Sequence, residues 1–553
     1  MKKKTLLSLL LSLVMLAGVA LPAVAEQAPA GKLYILHTND MHGRAVADPQ
    51  AGILGYAAIA QYKKDLEAQG HDVLLLDAGD ATQGTPLVNL GMGKNAIEFM
   101  NAAGYMAMSP GNHEFDWGSD NLKQLAGIAK FPILSASILD AVSKEVTFKA
   151  NTVFETKAGL KVGVFGLTTP ETATKAHPDK VRGVEFLQGE ELFKAAQAQV
   201  DELKAAGAQL IVALVHLGVD PESGRIRKTE MLENVKGIDL MIDGHSHTEF
   251  EKGEKVGDTL LVSTGDYGNN LGVVEYDGEK FTPSLFKGLG KGTFVTVDGV
   301  LYSAVLTAKL DEEVQALVGG LDKAVRDELS APFAKTEVRL NGDRDPGNRT
   351  QETNLGDFAA DAILWAAREA MGEKVVAAIT NGGGIRATIE AGDITMMDMK
   401  TVFPFGNEVA VLDVTGAELL EALEAATSST PKAIGAFPQV SGIVFTVDTS
   451  VPYEQGEQYP DSTYFAPAKP GSRVTIESVG GEPFSLEKIY TIATNDFTAA
   501  GGDTYYAFRY PNATSGYKTG VALEDALVRY IAEVLGGVVG GQYAEPQGRI
   551  TVK

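Results

Sequence analysis

The sequence predicts an α/β protein of more than one domain, whose first half is built around a largely parallel sheet. The chain has 553 residues, whereas a domain averages roughly 150. Between residues 31 and 250, short apolar runs alternate with helical patterns, as strands and helices do in covered parallel sheets. All eight histidines lie at or before His247, which indicates that the first half carries a chemistry that the second half lacks.

Composition narrows the class of protein. Hydrophobic residues make up 44% of the chain and charged residues 22%, which is ordinary globular usage, so we expect folded domains. Acidic residues outnumber basic ones by 72 to 48, and the net charge of −24 argues against nucleic-acid partners and anionic membranes. The chain has no cysteine, which rules out disulfides, zinc–thiolate sites and cysteine nucleophiles. Any bound metal must therefore be held by nitrogen and oxygen atoms.

Residues 1–25 have the pattern of a secretory signal peptide. Three lysines at positions 2–4 precede an apolar run over Leu6–Ala20, and the small residues of Ala23-Val24-Ala25 then form a cleavage motif. The alternative is a membrane anchor, but the apolar run is short for a bilayer span. We therefore expect a secreted or periplasmic protein without stable membrane insertion.

A first domain is predicted over residues 26–305 from short apolar runs that end in polar residues and glycine. The candidate strands are Leu33–Asn39, Asp72–Leu76, Tyr105–Ser109, Ile133–Ser137, Val162–Leu167, Leu210–Val215 and Leu240–Ile242. Helical patterns lie between several of them, at Leu54–Ala68, Ala96–Ala103 and Leu192–Ala206. Ligands of parallel sheets bind at the carboxyl ends of strands, so we expect the functional site at that edge.

Polar clusters fall at those strand ends. They are Asp40-Met41-His42, Asp77–Asp80, Gly111–Asp116, His216 and Gly244–His247. Each alone is typical of a surface loop, but five of them on one edge are hard to explain by chance. Aspartate, asparagine and histidine are ligands suited to Zn, Mn, Fe or Co.

Charge indicates which substrate such a site would take. Two divalent ions bring +4, the carboxylates of Asp40 and Asp80 bring −2, and Asn112 with neutral histidines adds nothing. The remaining charge near +2 matches a phosphate dianion. Two ions about 4 Å apart polarise phosphoryl oxygens and generate hydroxide near neutral pH. His113 is the candidate for protonating the leaving oxygen, with Asp116 to orient it.

The other histidines are predicted to have no role in the site. In a strand, His37 points away from the face that carries Thr38 and Asp40, so we expect it to be packed. His71 and His177 lie in polar, turn-like stretches and are predicted to be solvated.

The second half has a different set of motifs. A charge-rich helical pattern over Leu306–Leu329 is predicted to join two domains within a linker at residues 306–335; the alternative is a surface helix of the first domain. The second domain, predicted over residues 336–553, carries the glycine-rich blocks Gly342–Arg349, Asn354–Asp357, Thr380–Arg386, Phe403–Asn407 and Asn495–Asp503. Arginines suit phosphate, phenylalanines can stack a base, and glycine lets the backbone approach a ligand.

Three motifs of the first domain, Leu36–Gly43, Gly111–Asp116 and Gly244–His247, resemble the signatures of calcineurin-like metallophosphoesterases, and more narrowly of the bacterial 5'-nucleotidase / UDP-sugar hydrolase family. The resemblance implies a β-sandwich flanked by helices, joined by a helix to a second α/β domain that sets substrate specificity. It also implies two divalent ions, Zn, Mn or Co. It places the first metal site at Asp40, His42, Asp80 and His247, and the second at Asp80, Asn112, His216 and His245, with Asp80 bridging. It places a catalytic dyad at His113 and Asp116.

The glycine-rich blocks resemble the C-terminal domain of the same family. The resemblance implies that Arg344, Arg349 and Arg386 hold the substrate, that Phe405 and Phe497 stack the base, that Asn407 and Gly435 lie on the base side, and that Asp503 binds the ribose. The stretch between the first two arginines is one residue longer than the family pattern. The segment Asp448–Ser472 is also longer than usual, and no role is assigned to it.

This resemblance implies an enzyme that releases phosphate from nucleoside 5'-monophosphates by attack of metal-activated hydroxide, with ADP, ATP and UDP-sugars as further candidates. Two alternatives are a 2',3'-cyclic-nucleotide 2'-phosphodiesterase/3'-nucleotidase and an NAD pyrophosphatase. The former stacks the base between tyrosines, so Phe405 and Phe497 favour the 5' reaction. A nucleotide-binding surface protein with a dead site is disfavoured because no metal ligand is lost. The sequence leaves open the native metal, the base preference and the oligomeric state.

Overall fold

The computed structural model of the protein describes residues 31–48, 51–219, 228–287, 294–297, 300–303, 310–460, 462–509 and 517–553. The predicted signal peptide lies outside these residues. Across them, every helix is too short or too polar to cross a membrane.

The first sheet of the first domain has five strands. In spatial order they are Phe281–Lys287, Asn270–Tyr276, Leu33–Thr38, Asp72–Asp77 and Ala107–Met108. The last three run parallel, and the first two form an antiparallel hairpin at the other edge. The three parallel strands therefore end at the same edge.

The second sheet has six strands. In spatial order they are Glu254–Val256, Thr259–Val262, Leu240–Ile242, Leu210–His216, Lys161–Thr168 and Asn151–Glu155. The four central strands are parallel, and the outer two pair antiparallel.

The two sheets pack face to face. Ile35 and Leu76 of the first sheet share one buried core with Val164, Val212 and Ile242 of the second. This sandwich confirms the fold class implied by the resemblance. The alternation of strands and helices predicts a largely parallel, covered sheet. The parallel strands are present, but they are divided between two sheets, because alternation does not determine which strands become neighbours.

Helices cover the outer faces of the sandwich. Those of the first domain are Gly55–Ala68, Pro86–Asn89, Lys94–Ala103, Ser119–Ile128, Thr172–Lys175, Gly189–Ala205 and Lys228–Asn234. Shorter pairs of strands are Ile138–Asp140 with Val184–Phe186, and Phe294–Val297 with Val300–Ser303. The predicted strand Ile133–Ser137 is wrong: only Ile133 and Leu134 make isolated bridges, each to a different segment, so no ladder extends.

The helix Glu312–Leu329 connects the two domains. It begins at Asp311, whose side chain accepts a hydrogen bond from the backbone N–H of Val314 at 3.0 Å. Val314, Val318, Val325 and Leu329 are buried in the same core as Tyr56 and Phe99 of the first domain. Met396 and Met397 of the second domain pack against that core, so the helix lies between the two domains.

All described strands after this helix pair among themselves. One sheet consists of Gly392–Thr395, Pro332–Thr336 and Val538–Val539. The largest has the order Pro438–Ser441, Val375–Asn381, Ile489–Asn495, Glu408–Thr415 and Tyr517–Ala522. A third has the order Glu482–Pro483, Val474–Val479, Ile443–Val447 and Ile550–Val552, and a hairpin joins Gln455–Gln458 to Phe465–Pro467.

The helices of the second domain pack on both faces of its largest sheet. They are Asn354–Met371, Met396–Val402, Gly416–Ala426, Asp496–Ala499 and Leu523–Glu533. Two begin with reciprocal capping boxes, Thr395 with Asp398 and Thr415 with Glu418. The strands that end at Asn381 and Asn495 are parallel neighbours, so the glycine-rich blocks that follow them meet at one edge.

Candidate dimetal active site

The strand ends of both sheets bring the seven predicted metal ligands together. The strand ending at Thr38 leads into the loop of Asp40 and His42, and the strands ending at Asp77 and Met108 lead to Asp80 and Asn112. Strands ending at His216 and Ile242 supply His216, His245 and His247. The predicted ligands are buried or partly buried.

Asp40, His42 and His247 form the first cluster. Their ligand atoms all lie within 4.8 Å of one another. Nε2 of His247 is 3.4 Å from Oδ1 of Asp40 and 3.2 Å from Nε2 of His42. Nδ1 of His247 contacts Oδ2 of Asp266 at 2.6 Å, which orients the ring and leaves Nε2 facing the cluster.

Asp80, His216 and His245 form the second cluster, again within 4.8 Å. Oδ1 of Asn112 is 2.9 Å from Nδ1 of His245, so it joins this group. Nε2 of His216 lies 3.2 Å from Oδ2 of Asp80.

Asp80 lies between the two clusters. Its Oδ2 is 3.9 Å from Nε2 of His42 as well as 3.2 Å from Nε2 of His216. Burial alone would raise the pKa of Asp80, but the imidazoles of His216, His113 and His42 hold it well below its usual value. This position matches the bridging role that the resemblance implies.

The backbone of these loops is strained. Five of the seven predicted ligands have positive φ angles: Asp40, His42, Asp80, His245 and His247, at 51°, 43°, 57°, 75° and 56°. Non-glycine residues seldom adopt this conformation, and such strain concentrates at functional sites. The loops therefore adopt a less favourable backbone conformation that directs the side chains of the predicted ligands toward one another.

The donor set fits divalent cations. Nδ1 of His216 donates to the carbonyl of Ala78 at 2.6 Å, so in the neutral ring the Nε2 lone pair faces the carboxylate of Asp80. Two facing acceptors require a proton or a cation between them. Although burial opposes it, Asp80 raises the pKa of His216 to about 10, and Asp40 raises that of His247 to about 9. Both clusters thus attract positive charge, and a divalent ion would take the place of these protons.

His113 and Asp116 form the predicted dyad. Nδ1 of His113 is 2.7 Å from Oδ2 of Asp116, and burial raises the pKa of that carboxyl although His113 opposes the shift. His113 also comes within 4.8 Å of His42 and Asp80. Its backbone N–H donates to Oδ1 of Asp80 at 2.9 Å, which ties the dyad to the metal ligands.

Glu114, in the same motif, has a positioning role that the sequence analysis did not assign. Its fully buried carboxylate accepts backbone N–H bonds from Asp80, Ala81, Thr82 and Gly111 at 2.7–3.0 Å, and one from the Thr82 hydroxyl. It therefore fixes two ligand-bearing loops to each other.

A cavity of about 480 Å³ opens onto this cluster from the second domain. Its lining includes all eight predicted substrate residues: Arg344, Arg349, Arg386, Phe405, Asn407, Gly435, Phe497 and Asp503. It also includes six of the predicted metal and dyad residues: Asp80, Asn112, His113, Asp116, His245 and His247. Asp40, His42 and His216 lie behind them. One cavity therefore contains groups for phosphate, base and sugar beside the metal clusters.

Other polar residues of the site were missed. Oε2 of Glu171 is 2.7 Å from Nε2 of His245, and Asp266 orients His247. Glu171 follows the strand Lys161–Thr168 and Asp266 follows the strand Thr259–Val262, so the strand-end rule could have found both.

The three remaining histidines can all be placed. His71, which was predicted to be solvated, is half-buried: its Nδ1 accepts a hydrogen bond from the backbone N–H of Lys32 at 3.2 Å. His37 is buried in its strand against Gly272, and burial lowers its pKa to about 3. His177 was predicted to be solvated, and this is wrong: its side chain is 12% exposed and its Nε2 lies 3.5 Å from Oδ2 of Asp496 in the second domain.

Comparison with known proteins agrees with this geometry. The calcineurin-like phosphoesterase family matches residues 33–249, and the 5'-nucleotidase C-terminal domain matches residues 332–510. The chain is 31% identical to a 5'-nucleotidase of Vibrio cholerae, over 91% of this chain and 92% of that protein. It is 34% identical to the trifunctional nucleotide phosphoesterase protein YfkN of Bacillus subtilis, over 86% of this chain, but spans only 32% of that protein.

Among solved structures, a 5'-nucleotidase precursor from Thermus thermophilus superimposes with a TM-score of 0.76 at 28% identity, covering 94% of this chain and 99% of that one. Sequence, fold and the two domain matches therefore lead to one conclusion: the chain belongs to the 5'-nucleotidase family of metal-dependent phosphohydrolases.

Proposed function

We propose that the chain is an exported hydrolase that releases phosphate from nucleoside 5'-monophosphates with two divalent ions, Zn, Mn or Co. The observation that carries this proposal is the shared cavity, which places three arginines, two phenylalanines and Asp503 beside both metal clusters. The name of the Vibrio cholerae relative supports the same reaction.

The proposed roles follow from chemistry and position. Asp40, His42, Asp80 and His247 hold one ion, and Asp80, Asn112, His216 and His245 hold the other. When bound, the two ions polarise the phosphoryl oxygens and lower the pKa of water at the site. Arg344, Arg349 and Arg386 neutralise the phosphate, and His113, oriented by Asp116, delivers a proton to the leaving oxygen of the nucleoside.

The nucleoside is held by the second domain. Phe405 and Phe497 stack on the base, which is typically worth about 1–3 kcal/mol per base. Asn407 and Gly435 lie along the base, and Asp503 accepts from the ribose. We place the boundaries at residues 26–305, 306–335 and 336–553, so that the active site forms only where the domains meet.

The decisive experiment measures the first product that the metal-loaded protein releases from AMP, ATP, UDP-glucose, 2',3'-cyclic AMP and NAD, because cleavage of a cyclic phosphodiester or of a pyrophosphate does not itself release phosphate. We expect AMP to have the highest kcat/KM. A higher kcat/KM for the cyclic nucleotide or for NAD would replace the proposed reaction with one of the two alternatives. Binding of AMP without phosphate release would indicate a binding protein.

Export is tested separately. Amino-terminal sequencing of the protein recovered outside the cytoplasm should begin at Glu26. Recovery of a membrane-bound protein that still carries residues 1–25 would favour a membrane anchor instead of a signal peptide.

A further inference from the structure

A short segment of the first domain reaches the sugar-binding part of the cavity. The helix Thr172–Lys175 follows Glu171, which contacts His245. At its other end, the carbonyl of Thr174 accepts a hydrogen bond from the backbone N–H of Asp503 at 2.8 Å. The side chain of Lys175 is 13% exposed, and its Nζ lies 3.7 Å from Oδ1 of Asp503. The metal-binding domain thus places a cation beside the proposed ribose carboxylate.

The long segment Asp448–Ser472 helps to hold this lysine. Nζ of Lys175 lies 5.6 Å from the ring centroid of Tyr464, a favourable cation–π distance. Tyr464 is buried, and its carbonyl accepts from the N–H of Tyr459, whose ring stacks on Tyr506 at 4.7 Å. The segment is therefore anchored to the second domain at the point where it contacts Lys175.

Gly435, Asp503 and Lys175 come together at one point of the cavity wall. A Cβ atom built on Gly435 would lie 3.6 Å from Oδ2 of Asp503 and 3.7 Å from Nζ of Lys175. Asn381 donates to Oδ2 of Asp503 at 3.0 Å, which fixes the carboxylate. The absence of a side chain at Gly435 leaves room for a ligand against an acceptor and a donor.

A sugar hydroxyl is complementary to this pair. It donates one hydrogen and accepts others, whereas a carboxylate only accepts and an ammonium only donates. Hydrogen bonds to charged groups are stronger than neutral ones, so a site built to bind a hydroxyl discriminates against a substrate that lacks it.

We propose that Lys175 is a specificity-determining residue: it donates to a ribose hydroxyl whose own hydrogen is accepted by Asp503, and Tyr464 holds it in place. This inference rests on the proposed function, because it concerns the nucleoside of the same substrate. The inference adds that selection for ribose over deoxyribose comes partly from the metal-binding domain, through Lys175, and partly from the long segment Asp448–Ser472, through Tyr464.

The test compares AMP with 2'-deoxy-AMP and 3'-deoxy-AMP. In the wild type we expect kcat/KM to favour AMP over at least one deoxynucleotide. Lys175→Met should reduce that preference roughly tenfold, as expected for one charge-assisted hydrogen bond. Lys175→Arg should restore part of it, and Tyr464→Leu should reduce it by less than Lys175→Met. Lys157→Met is the matched control, since Lys157 is 72% exposed beside Asp72 at the opposite end of the strands.

Calorimetric binding of adenosine, 2'-deoxyadenosine and 3'-deoxyadenosine separates this inference from the proposed reaction. A wild type that hydrolyses no nucleotide would refute the proposed function, yet adenosine binding would still test Lys175. Unchanged AMP-to-deoxy-AMP ratios in folded Lys175→Met and Tyr464→Leu, or equal affinity of Lys175→Met and wild type for all three nucleosides, would overturn the assignment.

Discussion

The ring of Phe405 lies nearly parallel to the imidazole of His113, with centroids 5.5 Å apart and an interplanar angle of 19°. One residue belongs to the second domain and the other to the first. The guanidinium of Arg386 is 5.6 Å from the same phenyl centroid. The proposed base-stacking residue therefore also contacts the proposed proton donor, so nucleoside binding and catalysis share one surface.

Phe405→Ala should raise KM for AMP by about tenfold or more, because stacking on a base is worth roughly 1–3 kcal/mol. The measurement is kcat/KM for AMP relative to p-nitrophenyl phosphate, which has no base to stack. Phe405→Tyr keeps an aromatic face and is the control. An unchanged ratio in Phe405→Ala would place the base elsewhere.

Asp80→Ala should abolish phosphate release, because it removes the carboxylate between the two clusters. Metal analysis of the purified variant should show loss of ions from both sites. Asp120→Ala removes a carboxylate that is 90% exposed on a surface helix and should keep both ions. Two bound ions in Asp80→Ala would contradict the bridging role.

His113→Ala should keep its metal ions but lose about 10²- to 10⁴-fold in kcat, the usual contribution of general acid–base help. Asp116→Asn should lower kcat by less, since it disturbs orientation without removing the imidazole. Loss of metal from His113→Ala would show instead that this residue is a ligand, as its distance from His42 and Asp80 allows.

A fragment of residues 26–335 should fold, bind metal and hydrolyse p-nitrophenyl phosphate weakly without preferring AMP. A fragment ending at residue 305 should have a lower Tm. It lacks Val314, Val318, Val325 and Leu329, which are buried in the first domain's core, and each such side chain contributes about 1.5–3 kcal/mol. Equal Tm values of the two fragments would mean that the helix Glu312–Leu329 stabilises the second domain and not the first.

The contribution of Asp357 to stability should fall as pH rises from about 4 to 8, because burial raises the pKa of Asp357 to about 8, with Arg549 opposing the shift and Glu352 adding to it. In this window the folded protein holds a proton that the unfolded carboxyl, with a pKa near 3.9, has released. Asp357→Asn should flatten this part of the Tm–pH curve, whereas Asp393→Asn, at an exposed position, should not. Equal Tm–pH slopes of the wild type and Asp357→Asn across the window would contradict the shift.

The sequence predicted which residues of the first domain come together in the structure, because the candidate ligands directly follow apolar strands. Asp40, Asp80 and His245 each come within a few residues of a buried run, and parallel strands bring such residues to one edge. The strand Leu240–Ile242 and the helix Gly55–Ala68 agree with their predicted bounds to within one residue. In these two elements the local sequence pattern is sufficient to predict where the strand and the helix begin and end.

Contacts between the two domains could not be predicted from local sequence patterns. Lys175 and His177 lie in a polar stretch whose partners, Asp503 and Asp496, are in the other domain. No local periodicity distinguishes such a stretch from a solvated turn. The alternation pattern alone also left the division of strands between two sheets undetermined, since the pairing of strands depends on packing between distant segments; the β-sandwich was predicted only through the family resemblance.

The carboxylate of Glu114 has a consequence for how the enzyme acquires its ions. Because five hydrogen bonds to Glu114 tie the Asp80 and Asn112 loops together, we expect these two loops to keep their arrangement whether or not a cation is bound. Less ordering of these two loops is then needed when a cation binds, so we expect exchange of one ion for another to leave the chain folded. Chelation should accordingly stop hydrolysis reversibly rather than unfold the protein.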